Sequence, residues 1–143
     1  MEPIQFALSS GGSESALHIL QAAIDSHPDW VVISGDITNA FNSRKRCQIL
    51  ESLFNEPTLS PLFRLAYWSY NKPSQLLTLN NGKVAFTLDS QEGVKQGDIL
   101  ASLLFALSMT KIYKDSIHGL DTHALAVMDD ILLWSIYSYF YCL

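Results

Sequence analysis

The sequence lacks several features that would place the chain in a familiar class at once. It has only two cysteines, Cys47 and Cys142, too few for a disulfide framework or a cysteine-rich metal site, so a reducing, intracellular setting is expected. No basic segment followed by a long apolar block stands at the N-terminus, so a signal peptide is not expected. No apolar run reaches the roughly 18 residues of a membrane-spanning helix, so we expect no membrane partner.

Basic residues are also scarce. Nine Lys and Arg stand against fourteen Asp and Glu, which gives a net charge of −5. A nucleic-acid-binding protein that acts alone usually carries a basic patch, so this balance argues against that class. The one basic cluster, Arg44-Lys45-Arg46, predicts either a solvated helix start or a nucleic-acid contact. The balance is compatible with a protein whose carboxylates hold metal ions.

No repeat, low-complexity tract or flexible linker interrupts the 143 residues, and the hydrophobic share of 48% suits one globular domain. Gly11-Gly12 predicts a loop, and Ser13 is the expected N-cap of a helix whose apolar residues repeat at helical spacing. The β-branched stretch WVVISGDI predicts a buried strand. Further helices are predicted over about 42–54 and 62–68.

The second half of the chain predicts two hairpins with a helix between them. The first hairpin turns at Asn80-Asn81-Gly82, residue types that tolerate a positive φ. Asp98 is the expected cap of a buried helix, and the second hairpin carries Asp129-Asp130 at its tip. This order predicts an α+β fold, an antiparallel sheet with helices packed on one face.

Three short stretches carry residues suited to chemistry. Asp36 ends the predicted strand in GDITNAF, Gln96 and Gly97 lie in the loop EGVKQGD, and Asp129 and Asp130 interrupt the apolar run AVMDDIL. Each stretch alone has a plain structural interpretation, as a helix cap or a turn. Together, carboxylates from adjacent strands could hold two divalent cations, which suit in-line phosphoryl transfer.

The three stretches, in this order, resemble the palm motifs of retrotransposon-type reverse transcriptases. Asp36 with Phe41 resembles the first motif, Gly93–Asp98 and the helix after it the second, and Val127–Asp130 the aromatic-x-Asp-Asp hairpin. The resemblance covers about residues 5–134. It implies a polymerase palm (split βαβ, ferredoxin-like), with residues 1–28 as a junction to the fingers, 29–136 as the palm and 137–143 as a divergent tail.

The resemblance also implies roles for individual residues. Asp36, Asp129 and Asp130 would be the catalytic, metal-binding carboxylates for two Mg²⁺ ions, with Mn²⁺ as a substitute. Phe41 would lie under the sugar of the incoming deoxynucleotide and select against a 2′-hydroxyl. The remaining nucleotide-binding residues would be Ile37, Thr38, Asn39, Ala40, Gln96 and Gly97.

The sequence departs from the family pattern in three respects. Val127 replaces the usual aromatic residue, and Ile99 replaces the usual proline. The chain ends soon after Asp130, so we expect a truncated domain whose fingers and thumb are absent or come from another chain. The implied activity is extension of a primer on a nucleic-acid template with deoxynucleoside triphosphates. The alternatives are a catalytically inactive remnant that binds or scaffolds and, less favoured because of Phe41, an RNA-dependent RNA polymerase.

Overall fold

The computed structural model describes residues 4–136, and its helices and strands follow the predicted order. The elements are α1 (Gly12–Ser26), β1 (Trp30–Gly35), α2 (Ala40–Ser43), α3 (Arg46–Phe54), a 3₁₀ turn (Ser60–Leu62), α4 (Phe63–Tyr70), β2 (Ser74–Asn80), β3 (Lys83–Ser90), α5 (Ala101–Ser116), β4 (His123–Val127) and β5 (Asp130–Ile136). The divergent tail expected over 137–143 lies outside the described residues.

The chain divides into two compact units. The first unit combines the residues up to Thr38 with those from Ala106 onward, and the second unit spans Asn39–Phe105. The predicted assignment of one partial domain, with its palm over 29–136, stays a prediction.

The first unit is built on a three-stranded antiparallel sheet in the order β1-β5-β4. Along the β1–β5 ladder the register runs from Trp30 opposite Ile136 to Gly35 opposite Ile131. The N-terminal segment extends this sheet by a single parallel bridge between Gln5 and Ala126. Helix α1 covers one face, where Leu125 and Trp134 form a buried core with Phe6 and Ala16 of the chain start.

The start of α1 differs from the prediction. Ser13 lies inside the helix, and the N-cap is Gly11, which has a φ of 63° and makes no side-chain cap bond. Gly12 is the first residue of the helix. Only glycine fits there, because a Cβ would lie 1.9 Å from the carbonyl oxygen of Phe6. The two glycines predicted as a plain loop therefore set the close approach of the helix to the N-terminal segment.

The second unit contains the β2–β3 hairpin and the helices α2, α3 and α4. The hairpin turns where predicted, with positive φ values of 49° at Asn81 and 73° at Gly82. The helix predicted over 42–54 is in fact two helices, because Arg44 is extended, with φ −67° and ψ 124°. The carbonyl of Arg44 there accepts a hydrogen bond from the Gly93 amide at 2.8 Å, which an uninterrupted helix would not allow.

The predicted α+β class with antiparallel strands is confirmed. The strands form two sheets, one of three strands and one of two. Among the described residues, no helix is both long and apolar enough to cross a membrane.

Candidate active site

Asp36 stands at one end of the first unit's sheet. Strand β1 ends at Gly35, which pairs with Ile131 of β5, so Asp36 follows β1 at the end of the sheet where Asp130 begins β5. Asp36 and Asp130 are both exposed, so their carboxylates are accessible to water and to ligands.

The second hairpin brings Asp129 to the same end of the sheet. Val127 pairs with Asp130, so the turn itself consists of Met128 and Asp129. The prediction of both aspartates at the tip needs a correction, because Asp130 already belongs to β5. Asp129 is half-buried, so the two neighbouring carboxylates differ in their exposure.

The hydroxyl of Tyr113 lies at the hairpin tip, within electrostatic range of all three aspartates. Burial of the phenol and then the negative charges of Asp129, Asp130 and Asp36 together raise the pKa of Tyr113 to about 12. The tyrosine is 2% exposed and donates a hydrogen bond from its hydroxyl to the carbonyl oxygen of Met128 at 3.0 Å. Residues separated by 93 positions in the chain therefore act on one buried hydroxyl.

The donor chemistry of this group suits a hard divalent cation. All three side chains offer carboxylate oxygens, the ligands that Mg²⁺ and Mn²⁺ prefer. Over residues 4–136, no three His, Cys, Asp or Glu side chains are grouped so that they could hold a metal ion, so the three aspartates do not form a ready-made three-carboxylate site. Mg²⁺ usually takes one or two carboxylates and completes its shell with water and substrate phosphates, so the residues present fit this ion.

The other predicted site residues follow Asp36 along the chain into the second unit. Asn39 has a φ of 55° and begins α2, whose first residue, Ala40, is buried. The ring of Phe41 stacks on Phe105 with centroids 4.1 Å apart, which holds the ring in one orientation. Ile37 and Thr38 lie just before this turn, half-buried and exposed respectively.

The loop of residues 92–98 in the second unit, here called the Gln-Gly loop, is fixed at its start. The Val94 amide donates to the carbonyl of Phe41 at 2.9 Å. Gly93 has a φ of 67°, and a Cβ there would lie 2.4 Å from the same carbonyl oxygen, so only glycine fits. Further along, Gln96 and Gly97 are exposed, and Gly97 has a φ of 84°.

A buried tyrosine that the sequence did not indicate holds the rest of this loop. The hydroxyl of Tyr70 donates to Oδ2 of Asp98 at 2.5 Å and accepts from the Lys95 amide at 3.2 Å. Burial and then the hydrogen bond to Asp98 together raise the pKa of Tyr70 to about 12. Asp98 also accepts from the Leu100 amide at 2.9 Å, but α5 begins at Ala101, so the prediction of Asp98 as its N-cap is wrong and Asp98 instead fixes the loop before the helix.

Arg46 is neither a solvated cation nor an accessible one. It is 7% exposed, and its guanidinium donates to the carbonyls of Gly93, Lys72 and Ser90 at 3.0, 3.2 and 2.8 Å and to the Ser90 hydroxyl at 2.9 Å. Its side chain therefore ties both ends of the β2–β3 hairpin to the Gln-Gly loop. Arg46 is therefore neither part of a solvated helix start nor a nucleic-acid contact, the two interpretations predicted for the basic cluster. The sequence could not show this, because the burial of Arg46 depends on residues distant in sequence.

A cavity of about 740 Å³ in the first unit lies away from these residues. Its walls include Phe6, Ile19, His118, Leu125 and Trp134, and none of the three aspartates lines it. The cavity is therefore not part of the candidate active site.

Comparisons with known proteins give one sequence relative and several structures with a similar fold. No protein-family model matches the chain. The Retrotransposable element SLACS 132 kDa protein of Trypanosoma brucei gambiense is 32% identical over 104 residues, which is 73% of this chain and 8% of that protein. This chain thus corresponds to a small part of its relative.

Two solved telomerases share the fold. The structure of telomerase from Candida albicans in complex with a TWJ fragment of telomeric RNA matches 97% of this chain and 28% of its own, with a TM-score of 0.69 and 11% identity. Apo telomerase from Candida tropicalis matches 94% of this chain and 28% of its own, with a TM-score of 0.67 and 10% identity. From the sequence relative and this shared fold it follows that the chain belongs to the reverse transcriptase family of retrotransposable elements.

Proposed function

We propose that the chain carries the catalytic carboxylates of an RNA-directed DNA polymerase, which extends a primer 3′-hydroxyl with deoxynucleoside triphosphates. One observation carries this proposal. Asp36 at the end of β1 and Asp129 and Asp130 of the β4–β5 hairpin share one end of a sheet, although they are distant in sequence. The family membership of the chain supports the same function.

In the proposed mechanism, Asp36 and Asp129 would hold two Mg²⁺ or Mn²⁺ ions, with Asp130 beside them. When bound, the ions would lower the pKa of the attacking hydroxyl and stabilise charge on the leaving oxygen. The carboxylates contribute oxygen ligands and negative charge at a fixed position. The exposure of Asp36 and Asp130 leaves room for water and phosphate oxygens to complete the coordination.

The nucleotide roles are proposed on the strength of the family resemblance. Phe41 would pack under the sugar of the incoming nucleotide. Its stacking on Phe105 would restrict movement of the ring, so that a 2′-hydroxyl would clash with it. The backbone amides of residues 37–40 would bind the triphosphate. Gln96 and Gly97 would line the nucleotide and template pocket, as the resemblance implies. The hydrogen bonds of Arg46 to Gly93 and of Tyr70 to Lys95 fix other residues of the same loop.

The proposed partners are a nucleic-acid template-primer and a deoxynucleoside triphosphate. One of the structural neighbours, the Candida albicans telomerase, is solved with RNA, which supports a nucleic-acid partner. The net charge of −5 provides little attraction for a phosphate backbone. We therefore infer that basic surfaces for the template come from other parts of a longer protein or from another chain, in an intracellular setting.

A catalytically inactive remnant is the second candidate. Val127 favours it, because it lacks the ring that the family places before the two aspartates. Such a chain would keep the fold and would act at most as a binding or scaffolding module.

Primer extension separates the two candidates when it is assayed at low salt and with saturating template-primer, because the net charge of −5 gives the chain little attraction for a phosphate backbone. We expect extension with Mg²⁺ or Mn²⁺, a loss of at least about 100-fold in Asp129→Asn, and near-unchanged activity in Asp121→Asn. Asp121 is a suitable control because it is exposed and belongs to the same unit. Equal activity in Asp129→Asn and the native chain would refute the site. No extension by a folded chain that still binds Mn²⁺ would favour the inactive remnant.

A further inference from the structure

The turn that presents Asp129 is conformationally unfavourable on its own. Met128 has a φ of 60°, a value that favours glycine at the first position of a two-residue hairpin turn. A side chain with a Cβ costs on the order of 1–3 kcal/mol in such a conformation. The surrounding structure must therefore hold Met128 in place.

The side-chain amide of Gln5 binds both backbone groups of Met128. The Met128 amide donates to Oε1 of Gln5 at 3.0 Å, and Nε2 of Gln5 donates to the Met128 carbonyl at 3.1 Å. An amide side chain supplies this donor and acceptor together, which a carboxylate of the same length cannot. Gln5 is 8% exposed, so water competes little for these bonds.

The backbone on either side of Gln5 is itself fixed to β4. The Ala126 amide donates to the carbonyl of Ile4 at 2.7 Å, and the Phe6 amide donates to the carbonyl of Ala126 at 2.8 Å. Oε1 of Gln5 accepts a further bond from the Ala7 amide at 3.1 Å, which restrains the side chain. These hydrogen bonds fix the side-chain amide of Gln5 beside the hairpin turn, where it binds Met128.

A second element reaches the same residue from α5. The hydroxyl of Tyr113 donates to the Met128 carbonyl, which therefore accepts two side-chain hydrogen bonds. Three hydrogen bonds from two separate elements converge on the residue directly before Asp129.

We propose that Gln5 and Tyr113 are positioning residues that hold the Met128–Asp129 turn in the conformation that lets Asp129 bind a catalytic metal ion. The inference rests on the proposed function, because it assumes that Asp129 is a metal ligand. The two residues act through the backbone of Met128 and touch neither the metal nor the substrate. Their contribution is to keep the carboxylate in place before the ion arrives.

Mn²⁺ titration of the purified chain tests this without requiring polymerase activity. We expect Tyr113→Phe and Gln5→Leu each to weaken Mn²⁺ affinity by roughly 10-fold, the lower end of the effect of residues that orient metal ligands. Thr110→Val is the matched control. It removes a hydroxyl of α5 that donates to the Ala106 carbonyl at 2.8 Å and has no link to the turn.

A double-mutant cycle distinguishes positioning from general stability. In an Asp129→Asn background, Tyr113→Phe and Gln5→Leu should no longer alter Mn²⁺ affinity, because their effect passes through Asp129. The amide hydrogen of Met128 should also exchange faster in Gln5→Leu than in Thr110→Val. If Gln5→Leu does not fold, Tyr113→Phe, which keeps the ring, decides the question.

Two outcomes overturn the inference in different ways. If Asp129→Asn abolishes Mn²⁺ binding while Tyr113→Phe and Gln5→Leu bind as the native chain does, the positioning role is wrong and the metal site stands. If the native chain binds no Mn²⁺, or Asp129→Asn binds it equally well, the metal site itself fails and the inference fails with it.

Discussion

At the scale of single residues, buried tyrosines organise the segments that carry the proposed chemistry. Tyr113 holds the hairpin tip of the first unit, and Tyr70 holds the Gln-Gly loop of the second. Both side chains are almost fully buried, at 2% and 1% exposed. A buried hydroxyl needs a partner, so its bonds fix the backbone or carboxylate around it.

The raised pKa of Tyr70 predicts a loss of stability in alkaline solution. In the unfolded chain the phenol ionises near its ordinary pKa of 10, whereas in the folded chain it ionises at about 12. Between these values the unfolded state binds fewer protons, so the free energy of unfolding falls as pH rises, by up to about 1.4 kcal/mol per pH unit. Urea unfolding at stepwise pH should show this fall, and Tyr70→Phe should reduce its slope. An equal slope in both proteins would contradict the prediction.

Gly93 and Gly97 form a matched pair for testing how closely the Gln-Gly loop is packed. Both have positive φ values, but a Cβ at Gly93 would meet the backbone of Phe41 and Asn42 within 2.6 Å, whereas nothing lies within 4 Å at Gly97. We expect Gly97→Ala to cost about 1 kcal/mol and Gly93→Ala about 3 kcal/mol or more, because backbone must move. Chemical unfolding of the two variants measures the difference, and similar costs would argue against the close approach.

At the scale of elements, each predicted helix and strand is present, but hydrogen bonds with segments distant in sequence decide where some of them end. Arg44 is extended, and its carbonyl accepts a hydrogen bond from the Gly93 amide of the Gln-Gly loop. The extended residue divides the helix predicted over 42–54 into two. The β2–β3 hairpin shows the opposite case. Its turn residues and alternating strands specify it locally, and it forms where predicted although its apolar residues remain largely exposed.

The hydrogen bonds of Arg46 predict a large effect from one substitution in α3. Arg46→Met should destabilise the second unit by about 2–4 kcal/mol, because it leaves the carbonyls of Gly93, Lys72 and Ser90 without their charged donor. Amide exchange in β2, β3 and the Gln-Gly loop should accelerate. Lys45→Met changes the exposed neighbour and should cost within about 0.5 kcal/mol. Equal effects of the two changes would rule out the structural role of Arg46.

At the scale of the whole molecule, an acidic chain gathers three carboxylates at one end of a sheet. Like charges at the same end of a sheet repel each other, so a bound cation should stabilise the fold. The same charge that disfavours nucleic acid therefore favours a divalent ion. This links the overall composition of the chain to the proposed site.

Thermal unfolding with and without Mn²⁺ tests this link. At an ion concentration of about 100 times Kd, binding should add about 2.7 kcal/mol to the free energy of unfolding, and a chelator should remove the gain. Asp36→Asn should reduce the gain strongly, whereas Asp25→Asn in α1 should keep it. A gain of the same size in Asp36→Asn would mean that the ion binds elsewhere.

The sequence by itself determined the order of the elements, the α+β class and the two hairpin turns, because periodicity and turn residues act over a few neighbouring positions. It also identified Asp36, Asp129 and Asp130 as the residues to examine, through motifs that resemble a known family. The fold class and the family are confirmed. The roles of the individual site residues stay predictions.

Only the tertiary structure decided which side chains hold those motifs in place. Gln5 and Met128 are 123 positions apart, and no local pattern in the sequence marks a lone Gln near the chain start. Arg46 lies in a run of three basic residues, a pattern typical of solvent-exposed side chains. It is nevertheless buried, and it binds backbone carbonyls 26 to 47 positions away. Such contacts depend on how elements pack, because a hydrogen bond between distant segments forms only after the chain has folded around them.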